Sequence, residues 1–275
     1  MAGTLYLVAT PIGNLSEFSP RAIETLQKVE VIGCEDTRTS RPLLDRFDIH
    51  TRTVSYHNFN EEESSKGLLK LLEEDKDVAL ISDAGYPLIS DPGYRMVQEA
   101  IAAGIRVVPV SGPNAAVNAL VGAGLDTAHF LFYGFLSAKD SEARRELKSL
   151  SSFPYTLIFY EAPHRILRTL KLAEEVLGER KAVVARELSK LHEEFCRGTL
   201  HSLQRPEGYR GEIVLLVEGK KEETAAMNLE EALTLMKEAV AEGLPARKAA
   251  QKAAEESGYH RNELYQAYIR EKENG

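Results

Sequence analysis

The sequence predicts an α/β protein with two α/β domains and a small helical C-terminal appendage. Three observations support this fold class. Short apolar runs alternate with amphipathic segments of helical period, the runs end in turns rich in Gly, Pro, Ser and Asp, and strand-like runs stop at the polar linker 218–228. The predicted boundaries are 1–115 for the first domain, 116–220 for the second and 221–275 for the appendage.

The first domain is predicted to contain a mostly parallel sheet covered by helices. A helix should begin at Ser19-Pro20, because Ser is a preferred cap and Pro suits the first helical position. Further helices are expected at 61–74 and 95–104 from their apolar spacing. The run Val78–Ile81 is apolar on both faces, as in a buried parallel strand. The expected strands are 4–10, 29–36, 52–57, 77–83 and 105–110.

The second domain repeats the alternation, with strands that could include antiparallel edges. Between the domains lies the stretch 111–124, whose small residues suit close packing or a hinge. The expected strands of the second domain are 129–135, 155–161, 181–187 and 211–219, with helices at 139–150 and 163–177. The appendage should form three helices at 229–242, 246–257 and 260–272.

Composition narrows the class of protein. Of 275 residues, 43% are hydrophobic, which is enough for a packed core. The net charge of −8 argues against binding nucleic acid by charge over a broad surface. Cys34 and Cys196 cannot form a disulfide framework, which indicates a reducing compartment. With no signal-peptide pattern and no apolar run of membrane-spanning length, we expect a cytoplasmic protein without a membrane partner.

Three loops of low charge follow predicted strands of the first sheet. They are "ATPIGN" (9–14), the doubled Ser-Asp-x-Gly segment 82–93, and "SGPNAA" (111–116). Ligands of α/β sheets bind at the carboxyl ends of the strands, and such loops can present backbone groups at close range. Taken singly, each is more simply a turn, in which Asp83 and Asp91 would cap backbone amides. Together they favour a pocket for a neutral or zwitterionic ligand.

Charged motifs also follow strands, at "CEDTRTS" (34–40), "YEAPHR" (160–165) and "ARELSKLHEE" (185–194). Charged residues directly after buried strands tend to line clefts, although solvated helix starts are the simpler alternative. His192 and Cys196 could share a helix face, but two candidate ligands are a weak signal and no metal is expected.

Taken in order, "LYLVATPIGNL", "EDTR", "SDAGYPLISDPG", "SGPNAA" and "YEAPHR" resemble the tetrapyrrole-methylase-type (class III) methyltransferases. Within them, the motifs look most like the ribosomal RNA small subunit methyltransferase I branch. The appendage is similar to that branch's helix-turn-helix-like extension. The resemblance extends from about Leu5 to Gly219.

The resemblance implies S-adenosylmethionine as methyl donor, held between the two α/β domains of a homodimer. It implies methylation of a cytidine ribose 2′-hydroxyl in the 16S RNA of the small ribosomal subunit. Gly85 would let the backbone approach the donor. The other implied donor-binding residues are Pro11, Asp83, Ala84, Tyr86, Asn114, Ala115, Tyr160, Arg186 and Gly211.

The hydroxyl must lose its proton, and the sequence leaves the acceptor open. The candidates for this catalytic role are Glu35, Asp36, Glu161, His164 and Glu187. The candidates for binding RNA phosphates are Arg38, Arg165 and Arg186, with Lys248 and Arg261 from the appendage.

Two other functions stay open at this point. A methylase of the same fold could act on a small tetrapyrrole, or a non-catalytic RNA-binding module could sense the methyl donor. The appendage holds 8 Lys or Arg against 11 Asp or Glu from Lys221 onward, so a packing or dimer-stabilising role competes with RNA docking.

Overall fold

The computed structural model describes residues 2–56, 61–221 and 227–274. The chain forms two compact units, Met1–Lys220 and Lys221–Gly275. The first unit contains two five-stranded sheets, one in each half of its sequence. Two predicted features lie partly outside the described residues: residue 57, the expected end of the third strand, and residues 222–226 of the expected linker.

The first sheet is entirely parallel, in the order β3-β2-β4-β1-β5. Leu5 of the interior strand β1 lies opposite Val78 on one side and Val107 on the other. All four residues of β4 are buried, as expected for a strand covered on both faces. The strands are β1 (Thr4–Val8), β2 (Val31–Cys34), β3 (Arg52–Ser55), β4 (Val78–Ile81) and β5 (Arg106–Val110).

In the described part of the chain, helices α1 to α4 accompany this sheet, and α5 follows its last strand in the sequence. The predicted start at Ser19-Pro20 is confirmed, because the Ser19 hydroxyl accepts a hydrogen bond from the Ala22 amide and caps α1. The sequence analysis gives no bounds for α2, although its simpler alternative for the charged motif is a helix start; α2 begins there, directly after Asp36. The helices are α1 (Pro20–Lys28), α2 (Thr37–Arg46), α3 (Glu61–Glu73), α4 (Tyr94–Ala102) and α5 (Ala115–Ala123).

Helix α5 is the second helix for which the sequence analysis gives no bounds, and it occupies the small-residue stretch 111–124. Its buried face, which includes Ala116, Ala119 and Leu120, packs against Ile158 and Val214 of the second sheet. The small side chains therefore serve close packing of a helix against a sheet.

The second sheet is mixed, in the order β6-β7-β10-β8-β9. The possibility of an antiparallel edge is confirmed at the edge strand β9, and the central strand β10 is also antiparallel to both of its neighbours. Strand β9 replaces the helix considered for His192 and Cys196: Cys196 is buried within the strand, and His192 precedes it. The strands are β6 (Phe130–Phe135), β7 (Thr156–Glu161), β8 (Lys181–Arg186), β9 (Glu194–Thr199) and β10 (Ile213–Val217).

The two faces of the second sheet bury different helices. On β7, Leu157 and Phe159 belong to the core that includes α6 (Asp140–Leu150) and α7 (Ile166–Leu177). The alternate residues Ile158 and Tyr160 belong to the core that includes α5. This two-residue period places Tyr160 on the face that also carries α5.

The second unit is a bundle of three helices, α8 (Leu229–Ala241), α9 (Ala246–Ser257) and α10 (Arg261–Asn274). Asn228 and Glu231 form a reciprocal capping box at the start of α8. Ala249, Met236 and Leu264 are among the buried residues of its separate core. None of the helices in the described part of the chain is both long and apolar enough to cross a bilayer.

Candidate active site

The three low-charge loops meet at one edge of the first sheet. They follow β1, β4 and β5, which are adjacent because β1 pairs with both of the others. Thr10 and Gly85 exchange backbone hydrogen bonds of 2.9 and 3.1 Å. The Gly112 amide donates to the Tyr86 hydroxyl at 3.2 Å, which ties the third loop to the second. Parallel strands thus gather residues that are about a hundred positions apart in sequence.

A cleft of about 370 Å³ lies between these loops and the second sheet, within the size range of small-molecule sites. Its lining is mostly apolar, with a few polar groups. Seven of the predicted donor-binding residues line it: Ala84, Gly85, Tyr86, Asn114, Ala115, Tyr160 and Gly211.

The other three predicted donor-binding residues do not line this cleft. Pro11 is buried and precedes the lining residue Ile12 in the chain. Asp83 is exposed and sits one position before the lining residues. The Arg186 guanidinium forms an ion pair of 2.6 Å with Glu194 on the neighbouring strand. Their roles toward a donor stay predictions.

Aromatic rings form one wall of the cleft. Tyr160 packs edge-to-face against Phe132 at 4.9 Å and against Phe135 at 5.6 Å between ring centroids. Burial raises the pKa of the Tyr160 hydroxyl, so it stays a neutral phenol at physiological pH. Phe135 also lines the cleft, and 54% of its surface is exposed.

Gly211 allows a salt-bridged carboxylate to approach the cleft. Its φ is +84°, and an added Cβ would lie 2.2 Å from Oε1 of Glu187. That oxygen accepts from the Glu212 amide at 3.0 Å and from Nζ of Lys190 at 3.0 Å. Glu187 is therefore engaged in holding the loop, and these donors lower its pKa.

Asp36, a predicted catalytic residue, caps helix α2. Its carboxylate accepts from the Arg38 backbone amide at 2.8 Å and from two guanidinium nitrogens of the same residue at 3.1 and 2.8 Å. These bonds lower the pKa of Asp36 to about 2. A carboxylate of such low basicity is a weak proton acceptor. Arg38, predicted to bind phosphate, is exposed but already paired.

Glu161, another predicted catalytic residue, has its side chain buried at the end of β7. It accepts from the Ala162 amide and from Nε of Arg165, both at 2.8 Å, and from the Thr169 hydroxyl. Arg165 also donates to the Leu136 carbonyl at 3.2 Å, so its guanidinium is used inside the fold. The geometry gives Glu161 and Arg165 a structural role. His164 is exposed on the turn before α7 and does not line the cleft.

Asp91 is a cleft-lining carboxylate that the sequence analysis treats only as a turn cap. Burial and the nearby charges of Glu35 and Asp83 raise its pKa to about 6. The backbone before it is unusual, because Leu88 and Ser90 have φ of +72° and +68°. The doubled Ser-Asp-x-Gly motif was the available signal: its first copy meets Thr10, and its second copy reaches the cleft.

Lys248 and Arg261, the phosphate-binding candidates of the second unit, are exposed. Lys248 lies in the first turn of α9 and Arg261 begins α10. The Arg247 guanidinium lies over the ring of Tyr265 at 6.0 Å, and Tyr265 packs against the core of this unit. Their contact with RNA stays a prediction.

Comparisons with known proteins agree with this architecture. Residues 4–204 match the family described as Tetrapyrrole (Corrin/Porphyrin) Methylases, and residues 226–272 match the RsmI C-terminal HTH domain. A uroporphyrin-III C-methyl transferase from Thermus thermophilus, solved in complex with S-adenyl homocysteine, aligns with a TM-score of 0.56 at 18% identity. That alignment covers 78% of this chain and 97% of the other, and at this identity it shows the fold alone.

Two curated relatives span nearly the whole chain. Ribosomal RNA small subunit methyltransferase I of Bacillus subtilis (strain 168) is 42% identical over 274 residues, which cover 97% of this chain and 94% of the relative. The protein of the same name from Pseudomonas aeruginosa is 46% identical over 277 residues, which cover 96% of each. Together with the family match to both units, this similarity shows that the chain belongs to the tetrapyrrole methylases, in the ribosomal RNA small subunit methyltransferase I branch.

Proposed function

We propose that this protein transfers a methyl group from S-adenosylmethionine to the ribose 2′-hydroxyl of a cytidine in the 16S RNA of the small ribosomal subunit. The proposal rests on the cleft that lies between the three low-charge loops of the first sheet and the second sheet. Relatives that match nearly the whole chain at 42% and 46% identity are named as methyltransferases of small-subunit ribosomal RNA.

The cleft has the chemistry that the donor requires. Gly85, with φ of +79°, exposes backbone to the cleft without a side chain in the way. Asn114 presents an amide side chain at the cleft, although its oxygen already accepts from the Val117 amide at 2.9 Å. Apolar side chains such as Ile12 and Val214 suit a flat heterocycle. When bound, the donor supplies an electrophilic methyl group on a sulfonium. A mostly apolar lining favours a reaction in which that positive charge is lost.

The acceptor side needs a surface that can hold a nucleotide. Phe135 is half exposed at the cleft, and an exposed aromatic ring can stack on an unpaired base. Aligning the hydroxyl with the donor is the main catalytic task, because holding two reactants in line lowers the barrier by up to ~7–11 kcal/mol. Lys248 and Arg261 of the second unit would contribute contacts to RNA phosphates.

We also propose that the protein acts as a homodimer in the cytoplasm, where it would meet ribosomal subunits. Val117 and Val121, one turn apart on α5, are 46% and 72% exposed, and exposed apolar side chains of this kind are common at subunit contacts. Light scattering at several concentrations tests this association, and a monomer at all of them would contradict it.

Two alternative functions compete with this proposal. A tetrapyrrole methylase shares the fold, but the match of the second unit to the RsmI C-terminal domain and the relatives' names favour RNA. A non-catalytic sensor of the donor would bind the donor without turning it over.

The deciding experiment incubates the purified protein with labelled donor and one of three acceptors: assembled small subunits, naked 16S RNA or a tetrapyrrole. Label should enter a single cytidine in one of the RNA arms, mapped by nuclease digestion and mass spectrometry. Label in the tetrapyrrole arm alone would support the first alternative. Donor binding by calorimetry with no transfer to any acceptor would support the second.

A further inference from the structure

We propose that Asp91 is a catalytic residue, whose carboxylate accepts the proton of the acceptor hydroxyl during methyl transfer. This inference rests on the proposed function and adds to it a residue that neither the family motifs nor the sequence analysis assigns. It is based on the position of Asp91 in the cleft, on the backbone that presents it and on the engagement of the other carboxylates.

The segment before Asp91 holds an unfavourable backbone in place. Leu88 and Ser90 adopt positive φ although neither is glycine, an unfavourable conformation that occurs most often at functional sites. Ile89, Ser90 and Asp91 all line the cleft as a result. The Leu88 side chain packs against Gly93, where an added Cβ would lie 3.1 Å from Leu88 Cγ.

The same segment reaches across to the second sheet. A Cβ on Gly134 of β6 would lie 3.4 Å from the Ser90 hydroxyl oxygen. Phe135 follows Gly134 and lines the cleft beside Tyr160. Asp91 therefore borders the same space as the exposed ring that we expect to stack on the acceptor base.

The other acidic groups of the cleft are already engaged. Among the residues that the structure describes, Glu161 and Glu212 are the other carboxylic acids in the lining. Three donors saturate Glu161, and Glu212 is exposed and paired with Lys190 at 3.3 Å. The two phenols are poor proton acceptors, because the Tyr86 hydroxyl accepts from the Gly112 amide and Tyr160 stays neutral.

Charges that face Asp91 come from three elements. Glu35 after β2 and Asp83 after β4 repel its ionised form, and Asp91 in turn raises the pKa of Tyr160 on β7. Ser82 donates to Asp91, but its single proton is shared with the Gly85 carbonyl at 3.2 Å. Burial and repulsion therefore outweigh this bond, and the pKa of Asp91 lies at about 6. A base with a pKa near the working pH is both ionised and basic enough to take a proton.

The chemical step balances with Asp91 in this role. The acceptor oxygen forms a bond to the methyl carbon as the bond from that carbon to sulfur breaks. The electron pair of the broken bond goes to sulfur, which leaves a neutral thioether. The hydroxyl proton goes to the Asp91 carboxylate and from there to solvent once product has left.

The test compares the wild-type protein with Asp91→Asn, Asp91→Glu and the surface control Asp45→Asn, which lies in an exposed ion pair on α2. The acceptor is the RNA arm that the wild type methylates. Asp91→Asn should lower kcat by about 10²–10⁴-fold, the usual contribution of a general base. Its Kd for S-adenosylmethionine should stay within about twofold, because the base acts on the acceptor.

The pH profile separates a proton acceptor from a positioning group. Wild-type kcat should fall as the pH drops through about 6, and the residual activity of Asp91→Asn should lack this limb. Asp91→Glu should recover part of kcat, and Asp45→Asn should match the wild type.

Unchanged kcat in Asp91→Asn would overturn the inference while leaving the proposed function intact. So would a loss of donor affinity as large as the loss of kcat/KM, which would make Asp91 a donor-binding residue. A wild-type protein that methylates none of the acceptors would instead refute the proposed function.

Discussion

Replacing Asp91 with Asn should make the protein more stable at neutral pH. The carboxyl is half-buried and near two like charges, which raise its pKa from 3.8 to about 6. A carboxyl whose pKa is raised by folding binds its proton more tightly in the folded state. Its contribution is favourable below pH 3.8 and is lost as the pH rises through about 6. At pH 7 the ionised form therefore opposes folding, and Asn removes that opposition.

The size of the effect follows from the shift. About two pH units correspond to ~3 kcal/mol, and partial access of solvent to the carboxyl reduces the expected gain to about 1–2 kcal/mol. Urea unfolding of both proteins at pH 3.5, 5, 6, 7 and 8 measures the free energy of unfolding. The difference should be close to zero at the lowest pH, rise between pH 4 and 6, and stay constant above about pH 7.

Asp36→Asn provides a comparison of opposite sign. Its pKa is lowered to about 2, so its contribution to stability is present above 3.8 and is lost as the pH falls toward 2. That variant should be less stable than the wild type at neutral pH. If Asp91→Asn is no more stable at pH 7, or if its gain is the same at every pH, the account of a desolvated carboxylate in the cleft is wrong.

Three further predictions test the cleft, the buried ion pair and the second unit. Gly85→Val should weaken donor binding measured by calorimetry tenfold or more, which is about 1.4 kcal/mol. The control Gly104→Val has φ of +71° and nothing within 4 Å of its Cβ, so it should strain the backbone similarly but bind the donor normally. Equal donor affinities of the two variants would contradict the assignment of the cleft. Glu161→Gln should reduce the free energy of unfolding by about 3 kcal/mol, because it leaves the largely buried Arg165 without its counter-ion. Normal turnover by the folded fraction of this variant would exclude Glu161 as a catalytic residue. A chain ending at Lys220 should bind the donor normally but show a raised KM for the ribosomal substrate. An unaltered KM would rule out substrate docking by the second unit. A loss of donor binding would instead favour a packing role for the second unit.

The sequence by itself determined most of the secondary structure. The apolar run Val78–Ile81 indicated a strand covered on both faces, and Ser19-Pro20 indicated the start of a helix, because these signals are local. The three loops of low charge were also recognisable, since Gly, Pro and Asp mark turns wherever they cluster. Their common edge followed from the parallel sheet that the alternation predicts.

Local signals failed where long-range packing decides. Helix α5 is almost uniformly apolar and small, so its period gives little amphipathic signal, and its buried face became clear only against Ile158 and Val214. The central position of β10 depends on pairing with two strands distant in sequence. The residues of α5 and of β10 do not by themselves indicate which face of the helix is buried or where the strand lies in the sheet.

Tertiary structure decided the environment of Asp91, whereas the groups that bind Asp36 and Glu161 are close to them in sequence. From the sequence, Asp36 and Glu161 are candidates for the catalytic role, and Asp91 is only a turn cap. The fold gives Asp36 an arginine partner, surrounds Glu161 with donors and leaves Asp91 half-buried near Glu35, which is 56 positions earlier in the chain. A carboxyl's basicity depends on the charges, donors and solvent around it, and those are set by which strands lie side by side.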